Sequence, residues 1–530
     1  MQRNQDEHLQ AGELSAEDAA MIQYFDGVAG NTSLSREEAA VAKQYGVYCS
    51  RQSGDHMTRI VNPGGQLTAA QMRTVATLSD KYSTGRISFT TRQSAQLHGI
   101  ALGKLPGLLR DLVAAGMTTF HGCGDVPRNV TACSWASQCP HRRLDVLPHA
   151  KATSRLLRGS RDLDDLPRKF KVTYSGCPGN CGQPHINCVG AVAVQRTGAD
   201  GATEHGFRVY MGGGLGRTPY QGHVLYTFVP PDRIAAVCRA ACLVFREHGD
   251  RSSRTRARLK FVVERLGIET CRDLVNAMLD TEGVDRDGID WTPFTETGGD
   301  VPDRPQCVTT PETLDDMGVV CIMIPKGELT SAALLQIADL ADAYGDGYVY
   351  STNRQNLELH GITPGHRAAV QDAIAQLGFA TTGFHGLRDV VACVGTTYCP
   401  MARAATREMV DLLQETIHSE AYTTLRDKVI IHISGCPNAC SHYYIADIGM
   451  QGVRIRGGQQ AEEGYIIMLG GTESRFGDVL GEYKTSDCRS VITAVLDTLL
   501  ASDSGETLAA HIARVGIAPY TAAVDALGIG

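Results

Sequence analysis

This 530-residue chain has no surplus of positive charge: 50 Lys and Arg stand against 58 Asp and Glu, a formal net charge of −8. A basic footprint for nucleic acid, or for an anionic membrane surface, is therefore excluded as its organising chemistry. Any anion site must be a local gathering of Arg and Lys within an acidic molecule. Long apolar runs are missing too. Stretches such as 319–325 and 429–433 are strand-sized, far below the roughly 20 residues of a membrane-spanning helix. The opening MQRNQDEHLQAGELSAEDAA has no basic region followed by an apolar core, so no secretory signal and a cytoplasmic location are expected. The glycine-rich stretch Gly212-Gly213-Gly214-Leu215-Gly216 follows an apolar run, but no G-x-G-x-x-G with a suitable downstream acid accompanies it. A dinucleotide site is thus not expected. What remains is a chain with 43% apolar residues, long enough to build more than one domain with buried cores.

Cysteine, by contrast, is plentiful. There are 17, an odd number without a signal, which favours reduced thiols and metal ligands over a disulfide framework. Eight form a pattern that occurs twice. Cys133-x5-Cys139 and Cys177-x3-Cys181 return as Cys393-x5-Cys399 and Cys436-x3-Cys440, displaced by 260 residues for the first pair and 259 for the second. Of the others, Cys49, Cys188, Cys238, Cys242, Cys271, Cys307, Cys321 and Cys488 are expected to be small buried apolar residues.

The repeat extends well beyond cysteine. The run from Thr91-Arg92-Gln93 to Leu97-His98-Gly99-Ile100 matches the run from Asn353-Arg354-Gln355 to Leu359-His360-Gly361-Ile362. Gly65-Gln66-Leu67-Thr68 matches Gly327-Glu328-Leu329-Thr330, and Tyr210-Met211-Gly212-Gly213 matches Met468-Leu469-Gly470-Gly471. Each half reads first as a β-α-β-β-α unit. In the first half a strand is expected at 59–62 and a helix through residue 82, opened by the capping box Thr68-x-x-Gln71. A strand pair at 86–90 and 96–100 and a helix at 105–115 complete the unit. In the second half the same elements fall at 320–324, 330–344, 347–351, 357–362 and 364–377. Buried strands at 169–174 and 428–433 then lead into Ser-Gly-Cys-Pro.

Four soft thiolates in this pattern suit a [4Fe–4S] cluster. Four cysteines can also close a tetrahedral zinc site, although zinc prefers C-x2–4-C pairs, which the x5 spacing does not match. The backbone N–H groups of Gly435–Cys440 would hydrogen-bond cluster sulfur. Lys169 and Lys171, two apart, fall on one face of a strand and Arg168 on the other.

Taken together, Thr-Tyr-Cys-Pro, Ser-Gly-Cys-Pro-Asn-Ala-Cys, Arg-Gln-x-x-x-Leu-His-Gly and Leu-Pro-Arg-Lys-Phe-Lys resemble the sirohaem-dependent sulfite/nitrite reductase family over about residues 45–510. The resemblance implies an α+β, internally duplicated fold of two ferredoxin-like half-domains and two lobes that bind sirohaem and the iron–sulfur cluster. It divides the chain into an arm (1–45), half-domain 1 (46–116), lobe 1 with the anion pocket (117–283), a linker (284–312), half-domain 2 (313–380), lobe 2 with the cluster and haem ligands (381–515) and a tail (516–530). It implies that Cys393, Cys399, Cys436 and Cys440 hold the cluster, with Cys440 also bound to sirohaem iron. Arg92, Arg128, Lys169 and Lys171 would line the opposite face of the haem, where sulfite or nitrite binds. Arg168 and Asn438 would touch the haem itself.

Members that favour nitrite tend to have Asn where Lys171 stands, so sulfite reduction to sulfide is expected, with a nitrite reductase making ammonia or a haem-free relay or biosynthetic relative as alternatives. No ferredoxin-type cysteine run is present, so electrons should come from ferredoxin or a flavoprotein subunit. One departure from the family stands out. Most assimilatory members have a degenerate first repeat, whereas here Cys133, Cys139, Cys177 and Cys181 are complete and Arg354, Arg388 and Lys428 mirror the anion pocket. Ile430 replaces its fourth cation. A second cluster, or a second sirohaem, is left open.

Overall fold

The computed structural model describes residues 15–52, 54–299, 316–457 and 460–529. Its elements repeat in the order that the sequence duplication predicts. The helix Ala69–Tyr82 begins where expected, with the Thr68 hydroxyl accepting from Gln71 N and the Gln71 side chain returning to the Thr68 N–H. In the second half the corresponding helix is Ser331–Tyr344, capped by Thr330.

The two half-domains are not independent. The short strand Glu328–Thr330 of the second half pairs antiparallel with Arg86–Phe89 of the first half, completing its five-stranded sheet. In return, Gln66–Thr68 pairs with Tyr348–Ser351 in the four-stranded sheet of the second half. This reciprocal exchange fuses the halves. Their apolar side chains, such as Leu97 and Val75 with Leu334 and Ile337, make one shared core.

Each half-domain leads into a lobe built on a five-stranded mixed sheet. In lobe 1 the order is Thr131–Ala132, Val172–Ser175, Val189–Thr197, Thr203–Met211 and His223–Val229, with the first three parallel and the rest antiparallel. Lobe 2 repeats it with Val391–Ala392, Ile431–Ser434, Ile448–Gly457, Gln460–Leu469 and Asp478–Lys484. Helices such as Ile234–His248 and Cys488–Ala501 bury their apolar sides in separate lobe cores.

Several expectations need correction. The strands expected from 169 and 428 enter the ladder only at Val172 and Ile431. Just upstream, Phe170 bridges Pro127 instead, which keeps Lys169 and Lys171 extended but outside the ladder. Within the arm, Ala16–Val28 and Arg36–Gln44 are helices, and Met21 and Phe25 are fully buried in the shared core. The tail contains the helix Ala518–Asp525, pinned by buried Tyr520, whose hydroxyl bonds His511 Nδ1 at 2.7 Å. Cys188, Cys238, Cys242, Cys271, Cys321 and Cys488 are buried as expected, as is Cys123, but Cys49 is exposed. Cys307, residues 1–14 of the arm and residues 300–312 of the linker lie outside the described residues.

Candidate active site

Parallel pairing is what gathers the cysteines. Cys393 follows the strand Val391–Ala392 and Cys436 follows Ile431–Ser434. The two strands are parallel neighbours, so their carboxyl ends lie side by side. Cys393 N donates to Ile433 O at 3.1 Å, extending the ladder to the thiol. The next turn packs tightly. A Cβ on Gly435 would stand 2.8 Å from Ala404 O, and the bare backbone lets Gly435 N donate to Cys393 Sγ at 3.2 Å. Cys399 arrives through the helix Gly395–Tyr398, with its N–H donating to Gly395 O at 3.0 Å.

Burial pushes the Cys436 thiol up to about 11, opposed by the Asn438 N–H and reinforced by Cys440 and Cys399. Cys393 and Cys399 are likewise raised by burial, and the Cys440 sulfur acts on both. Cys440 thus stands within electrostatic reach of Cys393, Cys399 and Cys436 and disfavours their thiolates. A cationic iron core would relieve that repulsion, so the donor set fits a [4Fe–4S] cluster. Cys440 is exposed, as a thiolate shared with a second group would need to be.

The first half supplies the surroundings of Cys440. Thr91 Oγ1 donates to Cys440 O at 2.8 Å, which places the Arg92-Gln93 turn beside the second-half cysteine. Gln93 has a φ of 59°, the left-handed bend that swings the preceding arginine inward. Arg92 donates to Asn187 Oδ1 at 2.8 Å, Asn129 O at 2.5 Å and Val172 O at 3.1 Å, all neutral oxygens. Burial, opposed by the Cys188 sulfur and aided by Arg128, Arg258 and Arg59, lowers its pKa to about 9. Lys169 is lowered by burial and by Arg258 and Arg128, while the Cys440 sulfur draws it back up. Lys171 is held well below the ordinary lysine range by burial, Arg92, Lys169 and Arg258. Both lysines are half-buried and flank fully buried Phe170, so the alternation read from the sequence holds.

The structure therefore brings Arg92, Arg128, Lys169 and Lys171 together against Cys440. Among the described residues neither lysine has a carboxylate partner, and the buried Nε atoms of Arg92 and Arg258 have no hydrogen-bond partner. Unneutralised, half-buried cations of this kind suit a polyanionic ligand. An octacarboxylate tetrapyrrole such as sirohaem fits that demand. Arg168 points away, as alternation predicts, and pairs with Asp125 at 2.7 Å. Asn438 is exposed beside Cys436. Sequence reasoning missed Arg258, whose guanidinium bonds Cys188 Sγ at 3.6 Å. The run Arg254-Thr255-Arg256-Ala257-Arg258 was a signal, but nothing in its spacing tells which arginine turns inward.

The mirrored pocket of the second half is built differently. Arg354 pairs with Asp389 at 3.0 Å, with side chains 6% and 5% exposed, and its Nη1 meets His432 Nε2 at 3.3 Å. Asn129 stands in the first half where Asp389 stands in the second, so the first-half arginine has no such counter-ion. Arg388 faces Glu420 at 3.9 Å, and Lys428 and Ile430 are half-buried.

The chain matches known proteins along both of its halves. The family model described as the nitrite and sulphite reductase 4Fe-4S domain matches residues 123–282 and 383–527. The nitrite/sulfite reductase ferredoxin-like half domain matches residues 50–115 and 314–377. An assimilatory ferredoxin-dependent nitrite reductase of Haloferax mediterranei is 32% identical over 81% of this chain and 76% of its own length. A sulfite reductase [ferredoxin] of Mycolicibacterium paratuberculosis is 30% identical over 81% of this chain and 77% of its own. The solved structure of the Mycobacterium tuberculosis NirA protein shares the fold, with a TM-score of 0.84 over 96% of both chains at 24% identity.

Proposed function

From the premise that this chain belongs to the nitrite and sulfite reductase family, an oxidoreductase family carrying sirohaem and a [4Fe–4S] cluster, we propose that its substrate is sulfite, reduced to sulfide. Balanced, the sulfite dianion with six electrons and seven protons gives hydrosulfide and three waters. The observation that carries this reading is Lys171, set with Lys169, Arg92 and Arg258 in one group of mutually repelling cations beside Cys440.

Sirohaem and the cluster, which Cys440 and these cations would help to hold, would pass on the donor's electrons and offer the iron that receives substrate. The remaining chemistry belongs to the side chains. Arg92 and Arg128 present planar guanidinium forks whose positions are fixed by carbonyl bonds to Asn129, Val172, Gly122 and Gly124, which suits them to orient an oxyanion. Lys169 and Lys171 have their protons loosened by burial and by neighbouring positive charge. Lysine ammonium groups tuned toward neutrality transfer protons readily, and each oxygen leaving as water needs them. A fourfold cationic pocket also favours the more highly charged of the two anions.

A haem-free relay would have no use for these cations, which weighs against that alternative. Nitrite is the second reading, favoured by the likeness to the Haloferax mediterranei nitrite reductase. Ferredoxin, named in both relatives, or a flavoprotein subunit is the proposed electron donor. The cytoplasm is the proposed location: among the described residues no cysteine is joined in a disulfide, which suits a reducing compartment. Among the described residues no helix is long and apolar enough to cross a membrane.

The substrate is tested by giving the reduced enzyme sulfite and nitrite in turn. Lys171→Asn is expected to lower sulfite turnover at least tenfold while nitrite turnover falls by less than threefold. Equal losses on both anions would remove Lys171 as the discriminator.

A further inference from the structure

We infer that Cys133, Cys139, Cys177 and Cys181 hold a second [4Fe–4S] cluster, one that has no sirohaem beside it. The inference does not depend on which oxyanion is reduced.

The first observation is that the four thiols line one cavity, together with Asn353 and His385. The chain of each half reaches across to the other: Asn353 Nδ2 donates to Cys181 O at 2.7 Å, as Thr91 Oγ1 does to Cys440 O at 2.8 Å. The second observation is the backbone around the sulfurs. Gly176 N donates to Cys133 Sγ at 3.2 Å, the same bond at the same length as Gly435 N to Cys393 Sγ. Arg143 N donates to Gly176 O at 2.7 Å, and Arg403 N to Gly435 O at 2.7 Å. Cys139 N donates to Trp135 O as Cys399 N donates to Gly395 O. Cysteines kept only as small apolar residues would need neither the N–H···S bond nor the conserved loop path. Here both persist even where the intervening side chains have changed, from Gly179 and Asn180 to Asn438 and Ala439.

The spacing favours a cluster over a single ion. Cys133-x5-Cys139 departs from the C-x2–4-C pairs of structural zinc sites, and a cubane gives each of the four thiols around this cavity an iron of its own.

The absence of a haem partner follows from the wall opposite. Where Arg92 offers an uncompensated cation to Cys440, Arg354 is sealed in its ion pair with Asp389, which Asn356 Nδ2 and His385 N also bond. Ile430 replaces the counterpart of Lys171. With its arginine neutralised and a lysine lost, this wall offers much less to a polyanionic tetrapyrrole. Cys181 is correspondingly half-buried, whereas Cys440 is exposed.

The test is the composition of the anaerobically purified holoenzyme: iron, acid-labile sulfide, zinc and extracted sirohaem per chain. The expected result is the inorganic sulfide of two clusters with a single sirohaem. The sulfide of one cluster, or one zinc per chain beside it, would overturn the second cluster. Two sirohaems would overturn the haem-free assignment. In a second arm, the double variant Cys177→Ser with Cys181→Ser should halve the sulfide and keep the sirohaem absorbance. Unchanged sulfide in that variant would also refute the site. If the variant does not fold, the native count decides alone. Because these readouts involve no turnover, a wrong substrate assignment would leave them untouched.

Discussion

At Lys171 the chain buries a charge among other charges, and this has a consequence for stability as well as for catalysis. Its folded pKa lies well below the ordinary 10.5. Between the lowered value and 10.5 the unfolded chain binds more protons than the folded one, so stability rises with pH across that window. Below the window both states are protonated and the folded state bears the full cost of the buried charge. Lys171→Met should therefore raise the thermal midpoint of the cofactor-free protein near neutral pH and flatten its rise toward pH 10. A midpoint that falls, with the slope unchanged, would show that Lys171 is not held in a repulsive site. Spacing added only that Lys169 and Lys171 share a face, and family likeness made the cationic side chains legible in the sequence. The inward turn of Arg258 was not, because it depends on the packing of a loop against Cys188.

Among the elements, the exchanged strand Glu328–Thr330 carries the most consequence. Glu328 lies in the sheet of the other half, where its carboxylate meets Arg407 at 2.8 Å, Arg86 at 3.1 Å and Ser88 at 3.0 Å, with the Glu328 and Arg407 side chains 9% and 10% exposed. Removing one partner of a buried pair leaves the other uncompensated, at a cost of about 3–5 kcal/mol. Glu328→Ala should lose about that much in denaturant unfolding of the holoenzyme. A loss under about 1 kcal/mol, typical of exposed pairs, would show that the strand is anchored by its backbone alone. Helix positions were readable here because the capping residues Thr68 and Thr330 mark their starts. Strand beginnings were read too early at 169 and 428, since an extended, alternating sequence looks the same whether or not a neighbour completes the ladder.

The whole molecule is a duplication whose halves complete each other. Apolar side chains of both half-domains share one core, and each half-domain borrows a strand. A fragment ending at residue 299 would expose the sheet edge along Arg86–Phe89 and half of that core. We expect it to be insoluble when produced alone and recovered as a folded complex when co-produced with residues 300–530. A soluble, cooperatively unfolding fragment would contradict the shared core. The same interlock shapes the active site, because the turn of each half bonds the last cysteine of the other.

The sequence by itself determined the duplication, the helix starts and the two sets of four cysteines. These depend on residue identity, spacing and local hydrogen bonding, which are written along the chain. It also implied through family likeness the cations that surround Cys440. Tertiary structure alone decided that the strands are exchanged, that Arg258 joins the pocket and that Asp389 closes the mirrored one. Those outcomes depend on pairings between residues far apart in sequence, such as Arg354 with Asp389 or Thr91 with Cys440. Repeats of equal spacing leave open which half supplies each partner. Only the packed chain, which must neutralise or leave bare each buried charge, makes that choice.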